Sequence, residues 1–397
     1  MRTRPAEAGR PRIHRGRLAA SLLCIVWSGL VWPALAAATP YVPASDSQVL
    51  AELPAGTSFS GSAIRQQAAA RLDVAVPLAQ FYISQSRATG DLRFLGYADA
   101  ALAHWQHHTP PLPAVLVLEA TILQSRHSFD AALAKLDQAL ALRPEDAQAW
   151  LTRATVLRVL GRYDEASASC AHLRATADPA LAQLCAASLL GVSGHLRAAY
   201  TQLTGLPEAP LAVEARAWRF SELGELAASL GDTAAAANWF TAALRLVPAD
   251  LYTRAAYADL LLSEGRPRDT LELLKGYDSM EPMLLRIAIA QRSLKDPQFD
   301  ATRELLASAF SVEEQRGEAV HRREQARFLL DVEADSAAAL RAAQENWRVQ
   351  REPADILILL RAAQASRQPR AAMPAMQFIQ EHRTEDVRFD PYLGRAR

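Results

Sequence analysis

The sequence predicts an all-α protein, an α-solenoid of stacked helix hairpins, and three observations carry that prediction. One pattern is written twice between Pro113 and about Leu173. A shift of thirty-four residues places Ala120 on Ala154, Phe129 on Tyr163, Asp130 on Asp164 and Ala132 on Ala166. Each copy also carries apolar residues at helical spacing, such as Leu116, Leu123, Leu133, Leu136 and Leu140. Ala occupies the points where paired helices must approach closely. Finally, alanine and leucine dominate, and few segments show the alternation of β-branched residues that strands require. Repeats of this kind bury their apolar faces only against neighbours, so 397 residues at 50% apolar composition form one elongated unit.

The elements follow in order. Residues 1–36 have the form of a secretory signal peptide. Arg2, Arg4, Arg10, Arg12, Arg15 and Arg17 precede an uncharged run from Leu18 to Ala38, broken by Pro33 and closing with Ala34-Leu35-Ala36. An uncleaved anchor is the alternative, because roughly 20 apolar residues can span a bilayer. Residues 37–61, with Pro40, Pro43, Pro54 and Gly56, make an exposed leader with one short helical turn at Gln48–Leu53. Residues 62–112 form an atypical first repeat. Its helix Leu72–Arg87 turns at Gly90-Asp91 into a return helix Leu92–His107, which Pro110-Pro111 end.

The regular array spans residues 113–277, in copies of about 113–146, 147–179, 180–216, 217–250 and 251–277. Gly161, Gly194, Gly231 and Gly265 mark the turns inside four of them, where a left-handed backbone is easiest for glycine. Beyond Tyr277 the pattern fades, while helical periodicity continues as degenerate pairs over residues 278–383. Pro353-Ala354-Asp355 opens one of these helices, with Pro and an acid where a helix start favours them. Residues 384–397 read as an Arg-containing tail.

The fourth copy displays Phe220, Leu223-Gly224, Gly231, Ala236, Phe240 and Pro248. With the period, this resembles the tetratricopeptide repeat (TPR) superfamily, and the layout is similar to that of secreted proteobacterial TPR proteins. The resemblance is strong over residues 113–277 and weaker to about 350. It implies a right-handed superhelix whose first helices line a concave face that receives peptides or partner proteins. Leu123, Leu157 and Ala227 stand where the family pattern has Tyr, which leaves the chemistry of the groove unassigned.

First-helix residues off the packing stripe are the candidates for that face: Gln124, Thr155, Arg158, Trp218, Glu225, Tyr252 and Asp259. Aromatic and Arg side chains in such places often anchor a partner, although Trp218 and Tyr252 can equally pack against a neighbouring copy. A second candidate is His104, His107 and His108. At i, i+3 and i+4 of a helix they share a face, a spacing able to hold Zn²⁺ or Cu²⁺. The chain lacks G-x-S-x-G, a phosphate-cradling G-x-x-x-x-G-K and G-x-G-x-x-G, so no catalytic residue and no cofactor is expected.

Charge restricts partners further. Formal net charge is zero, and removing residues 1–36 takes six Arg and Glu7, leaving 37 basic against 42 acidic groups, a net of −5. The Arg are scattered rather than striped, which disfavours nucleic acid. Cys170 and Cys185 are the mature chain's cysteines and fall on helices expected to lie side by side. In an oxidising compartment they pair; otherwise they serve as small buried hydrophobes. The sequence therefore predicts an exported, most simply periplasmic, scaffold. It takes a protein or peptide partner and makes no stable membrane insertion once the signal is removed. Its expected context is assembly or regulation of an envelope complex. The alternative is a metal-handling protein using the His104–His108 segment.

Overall fold

The computed structural model describes residues 61–207, 211–278, 280–315 and 321–394, and among these every regular element is helical. The signal peptide and the leader with its turn at Gln48–Leu53 lie outside the described residues. The first hairpin comprises α1 (Gly61–Ala70), α2 (Leu72–Thr89) and α3 (Arg93–Leu102). Five pairs follow: α4 (Pro113–Ser125) with α5 (Phe129–Leu142), α6 (Ala147–Val159) with α7 (Tyr163–Thr176), α8 (Pro179–Val192) with α9 (Leu196–Gly205), α10 (Val213–Leu230) with α11 (Thr233–Leu246), and α12 (Leu251–Ser263) with α13 (Pro267–Leu273). Then come α14 (Glu281–Leu294) with α15 (Phe299–Gln315), and α16 (Arg322–Asp331) with α17 (Ser336–Trp347). The last pair is α18 (Pro353–Ala365) with α19 (Met373–His382), and the short α20 (Asp390–Leu393) follows it. The architecture is an α-solenoid of stacked hairpins.

Local chemistry explains the regularity. Asp146, Asp178, Asp232, Asp250 and Asp335 each precede a helix and accept a hydrogen bond from a backbone N–H of its first turn. Such caps satisfy donors that a helix start otherwise leaves open. Ala120 and Ala132 are both fully buried, as are Ala166 and Ala236, because a larger side chain there would hold the helices apart. Gly224 shows the same logic in its strictest form. A Cβ on it would come within 2.5 Å of the Phe240 ring. Removing that methyl lets Phe240 reach 1% exposure, a burial that contributes roughly 2–3 kcal/mol. Cys170 in α7 and Cys185 in α8 are disulfide-bonded, with Cα atoms 5.6 Å apart.

Three expectations need correction. The return helix of the first hairpin ends at Leu102, not His107; residues 103–107 are turn. Trp105 explains the early stop, since its indole turns inward to donate to the Ala68 carbonyl of α1 at 2.8 Å.

The segment read as a tail is built into the body. Phe389 is 1% exposed, and Thr384 and Asp386 are also buried.

Nor do the last degenerate pairs simply extend the stack, because residues 350–387 run past the turns of four successive hairpins. Gln350 meets His127 at 3.2 Å. The Arg351 N–H donates to the Val159 carbonyl, and its guanidinium to that of Leu160. Phe378 lies over Gly161, Arg383 over Gly194 and Val387 beside Gly231. Helix α18 buries Ile356, Ile358, Leu359 and Leu360 in one apolar cluster with Leu116, Leu157 and Leu189 of the array. At the other end, Gly90 of the first hairpin lies against Leu251 of α12 and Pro282 of α14.

Candidate functional site

The inner face is located by reach. Neighbouring packed helices stand roughly 8–10 Å apart, so first helices two hairpins apart would be too distant for contact in a straight stack. Yet Arg158 of α6 donates to Glu222 of α10 at 2.8 Å, past α8. Asp259 of α12 likewise accepts from Arg286 of α14 at 3.0 and 2.7 Å and from Arg327 of α16 at 2.8 Å. Only the inside of a curve brings alternate helices this close.

Four of the sequence candidates prove structural. The Trp218 indole donates to Glu222 at 3.1 Å, and its rings pack against two apolar clusters. Thr155 donates to the Leu151 carbonyl one turn back. Gln124 is half-buried, and its carbonyl takes the His127 N–H of the turn that follows. Asp259 is held by its two guanidiniums. Against burial, which raises it, Arg286 and Arg327 pull its pKa down to about 2.

Glu225 and Tyr252 differ from these. Glu225 lies beside Tyr252, whose hydroxyl favours the charged carboxylate. Burial and then the Glu222 carboxylate push its pKa up to about 7, although Arg158 opposes them. Arg158 itself is committed to Glu222, and the two side chains are 14% and 8% exposed. Glu225 therefore shares a guanidinium that another carboxylate already holds. Tyr252 is 55% exposed, yet burial and then Glu225 push its phenol well above its usual range. The exposed area decides what a partner can touch.

Sequence reasoning missed the polar layer that lines this face. Asn346 donates to Asp355 at 2.8 Å, and Gln350 to the Asn346 carbonyl oxygen at 3.2 Å. Arg323 approaches Asp355 and Glu352 at 3.5 and 3.6 Å. Asp355 is fully buried, and burial pushes its carboxyl up to about 6 despite Arg323. Burial first, then Arg323, lowers the His127 pKa to about 4, so its ring stays neutral at neutral pH. Only the capping pair of Glu352 and Asp355 at the start of α18 had a sequence signal. Glu222, Arg286 and Arg327 had none, because their partners lie 27 to 68 residues away.

The histidine candidate fails on its geometry. With the helix ending at Leu102, His104 and His107 fall in turn and the three share no helical face. His104 stacks edge-on to Trp105, and His108 Nδ1 lies 2.8 Å from the Pro110 carbonyl.

Residues 123–187 match a family model described as a tetratricopeptide repeat. Among solved structures, the chain is similar to the APC/C hetero-tetramer Cut9–Hcn1 (13% identity, covering 78% of this chain and 80% of that one, TM-score 0.40). It is also similar to a human IFIT1 dimer with PPP-AAAA (11% identity, 80% and 84% covered, TM-score 0.42). A third is Pseudomonas aeruginosa pilF (18% identity, 64% and 98% covered, TM-score 0.31). No curated protein matches the chain. The resemblance read from the thirty-four-residue period is supported by the family match, and the chain carries tetratricopeptide repeats over residues 123–187.

Proposed function

We propose that this chain is an exported interaction scaffold that holds a segment of a partner protein on its inner face, around Tyr252 and Glu225. One observation carries the reading. Tyr252 offers an exposed ring beside a carboxyl whose neighbouring guanidinium is engaged elsewhere. An amphipathic aromatic next to an undercompensated acid suits a Lys or Arg side chain of the partner, through charge and contact with the ring face. The repeat match supports protein binding as the class of function.

Export rests on the basic start, apolar run and A-x-A end of residues 1–36, and the Cys170–Cys185 bond supports an oxidising compartment. A periplasmic site and a role in assembling or regulating an envelope complex follow as the simplest context. The test places a photo-crosslinking residue at position 252 or at the exposed Gln138 on α5, in cells of the native host. Position 252 should yield a specific adduct that the E225Q variant weakens, and Gln138 should not. Equal labelling from both positions would remove the inner face from consideration.

A further inference from the structure

Three helices each direct one donor to a single point. Glu281 stands in the first turn of α14, Glu313 in the last turn of α15, and His321 immediately precedes α16. His321 Nδ1 lies 2.7 Å from Glu313 and 3.4 Å from Glu281. One donor atom from each of the three side chains lies within 4.8 Å of the other two.

Zn²⁺ binds nitrogen and oxygen at roughly 2.0–2.2 Å in tetrahedral sites, which sets donors about 3.3–3.5 Å apart. The His321–Glu281 separation already matches this spacing, and the His321–Glu313 separation would have to open to admit the ion. The side chains retain 28%, 17% and 19% exposure in the order Glu281, Glu313, His321. Solvent can therefore reach the point and supply a fourth ligand. The imidazole nitrogen also discriminates, because Ca²⁺ and Mg²⁺ prefer shells made wholly of oxygen.

We propose that Glu281, Glu313 and His321 form a Zn²⁺ site that clamps α14, α15 and α16 together. The clamp joins the same α14 and α16 whose Arg286 and Arg327 meet on Asp259. Metal occupancy would thereby stiffen the connection between the regular array and the C-terminal helices. The same geometry also describes an imidazolium held between two carboxylates, and the experiment separates the two readings.

Titration calorimetry of the purified chain with Zn²⁺ should give one ion bound per chain. E313Q and H321A should each weaken that binding at least ~10-fold while leaving helical circular dichroism unchanged. The H104A/H107A/H108A triple variant should bind as the parent does. Zn²⁺ should raise the thermal midpoint of the parent and not of E313Q or H321A. Several results would overturn the site: no stoichiometric Zn²⁺ binding, undiminished affinity in E313Q and H321A, or loss confined to the triple variant. The cluster is then an imidazolium–carboxylate ion triad only. Displacement of Zn²⁺ by equimolar Ca²⁺ would overturn the nitrogen-donor assignment as well.

Discussion

The array of residues 113–277 and the helices of residues 322–393 are both helical hairpins, yet different forces specify them. In the array, each helix packs on its neighbours in sequence, with Ala, Gly and Leu repeating at fixed steps and Asp capping the starts. The C-terminal helices keep little of that repetition. They are tied down by contacts across long separations, as from Thr384 to the Val192 carbonyl and from Ser229 to Asp386. A repeat array is locally determined and tolerates fading at its ends. A segment that folds back over it must match specific turns, and it carries polar groups to do so. A degenerate repeat can still be structurally committed.

That comparison can be broken most directly at Phe378, which touches Tyr163, Trp347 and His382 and overlies Gly161. Phe378→Ala should cost about 3–5 kcal/mol, as should Phe240→Ala inside the array. Both variants should unfold in one urea transition if the C-terminal helices belong to the array. A separate early transition in F378A alone would show that they melt independently.

The disulfide gives a purely local contrast. Reducing Cys170–Cys185, which closes a 15-residue separation, should remove at most ~3 kcal/mol. Denaturant midpoints with and without reductant measure it, and no change would mean the link adds nothing to packing already in place.

The glycine turns sharpen the comparison further. Gly161 and Gly265 both hold left-handed backbone, with φ of +74° and +69°. Alanine in that conformation costs ~1–2 kcal/mol at either. At Gly161, however, a Cβ would come within 2.7 Å of Phe378, whereas at Gly265 nothing lies within 4 Å. Gly161→Ala should therefore lose ~1–3 kcal/mol more than Gly265→Ala. Equal losses would mean that Phe378 yields at no cost.

The smallest effect concerns pH. Glu225 has its folded pKa raised to about 7 from the ordinary 4.5, so the folded state holds its proton more tightly than the unfolded one. Its contribution is greatest below the ordinary value and is lost as pH rises through about 7. Parent stability should thus fall relative to Glu225→Gln between about pH 5 and about pH 8. Parallel stability curves for the two proteins would contradict it.

Much of the fold was legible because its causes are local. The bounds of α4, α5 and α18 follow from Pro at the start, apolar spacing and polar punctuation. His104 to His108 misled, because what ends α3 is the Trp105 indole reaching back to Ala68, which no spacing rule contains. The inner face was half legible. Arg158, Trp218, Glu225, Tyr252 and Asp259 were nominated from their helical register. Their partners were not found, since Glu222 and Arg327 are ordinary charged positions until curvature brings them near.

The sequence by itself determined that this chain forms helix hairpins, where most begin and end, and that they stack. Those are matters of period, capping and side-chain volume. Tertiary structure alone decided that residues 350–387 lie along the hairpin turns. It also decided which of the inner-face groups are neutralised and which, like Tyr252 beside Glu225, stay exposed. The reason is physical: pairing between charges depends on the distance that accumulated curvature sets, and no single repeat encodes that sum.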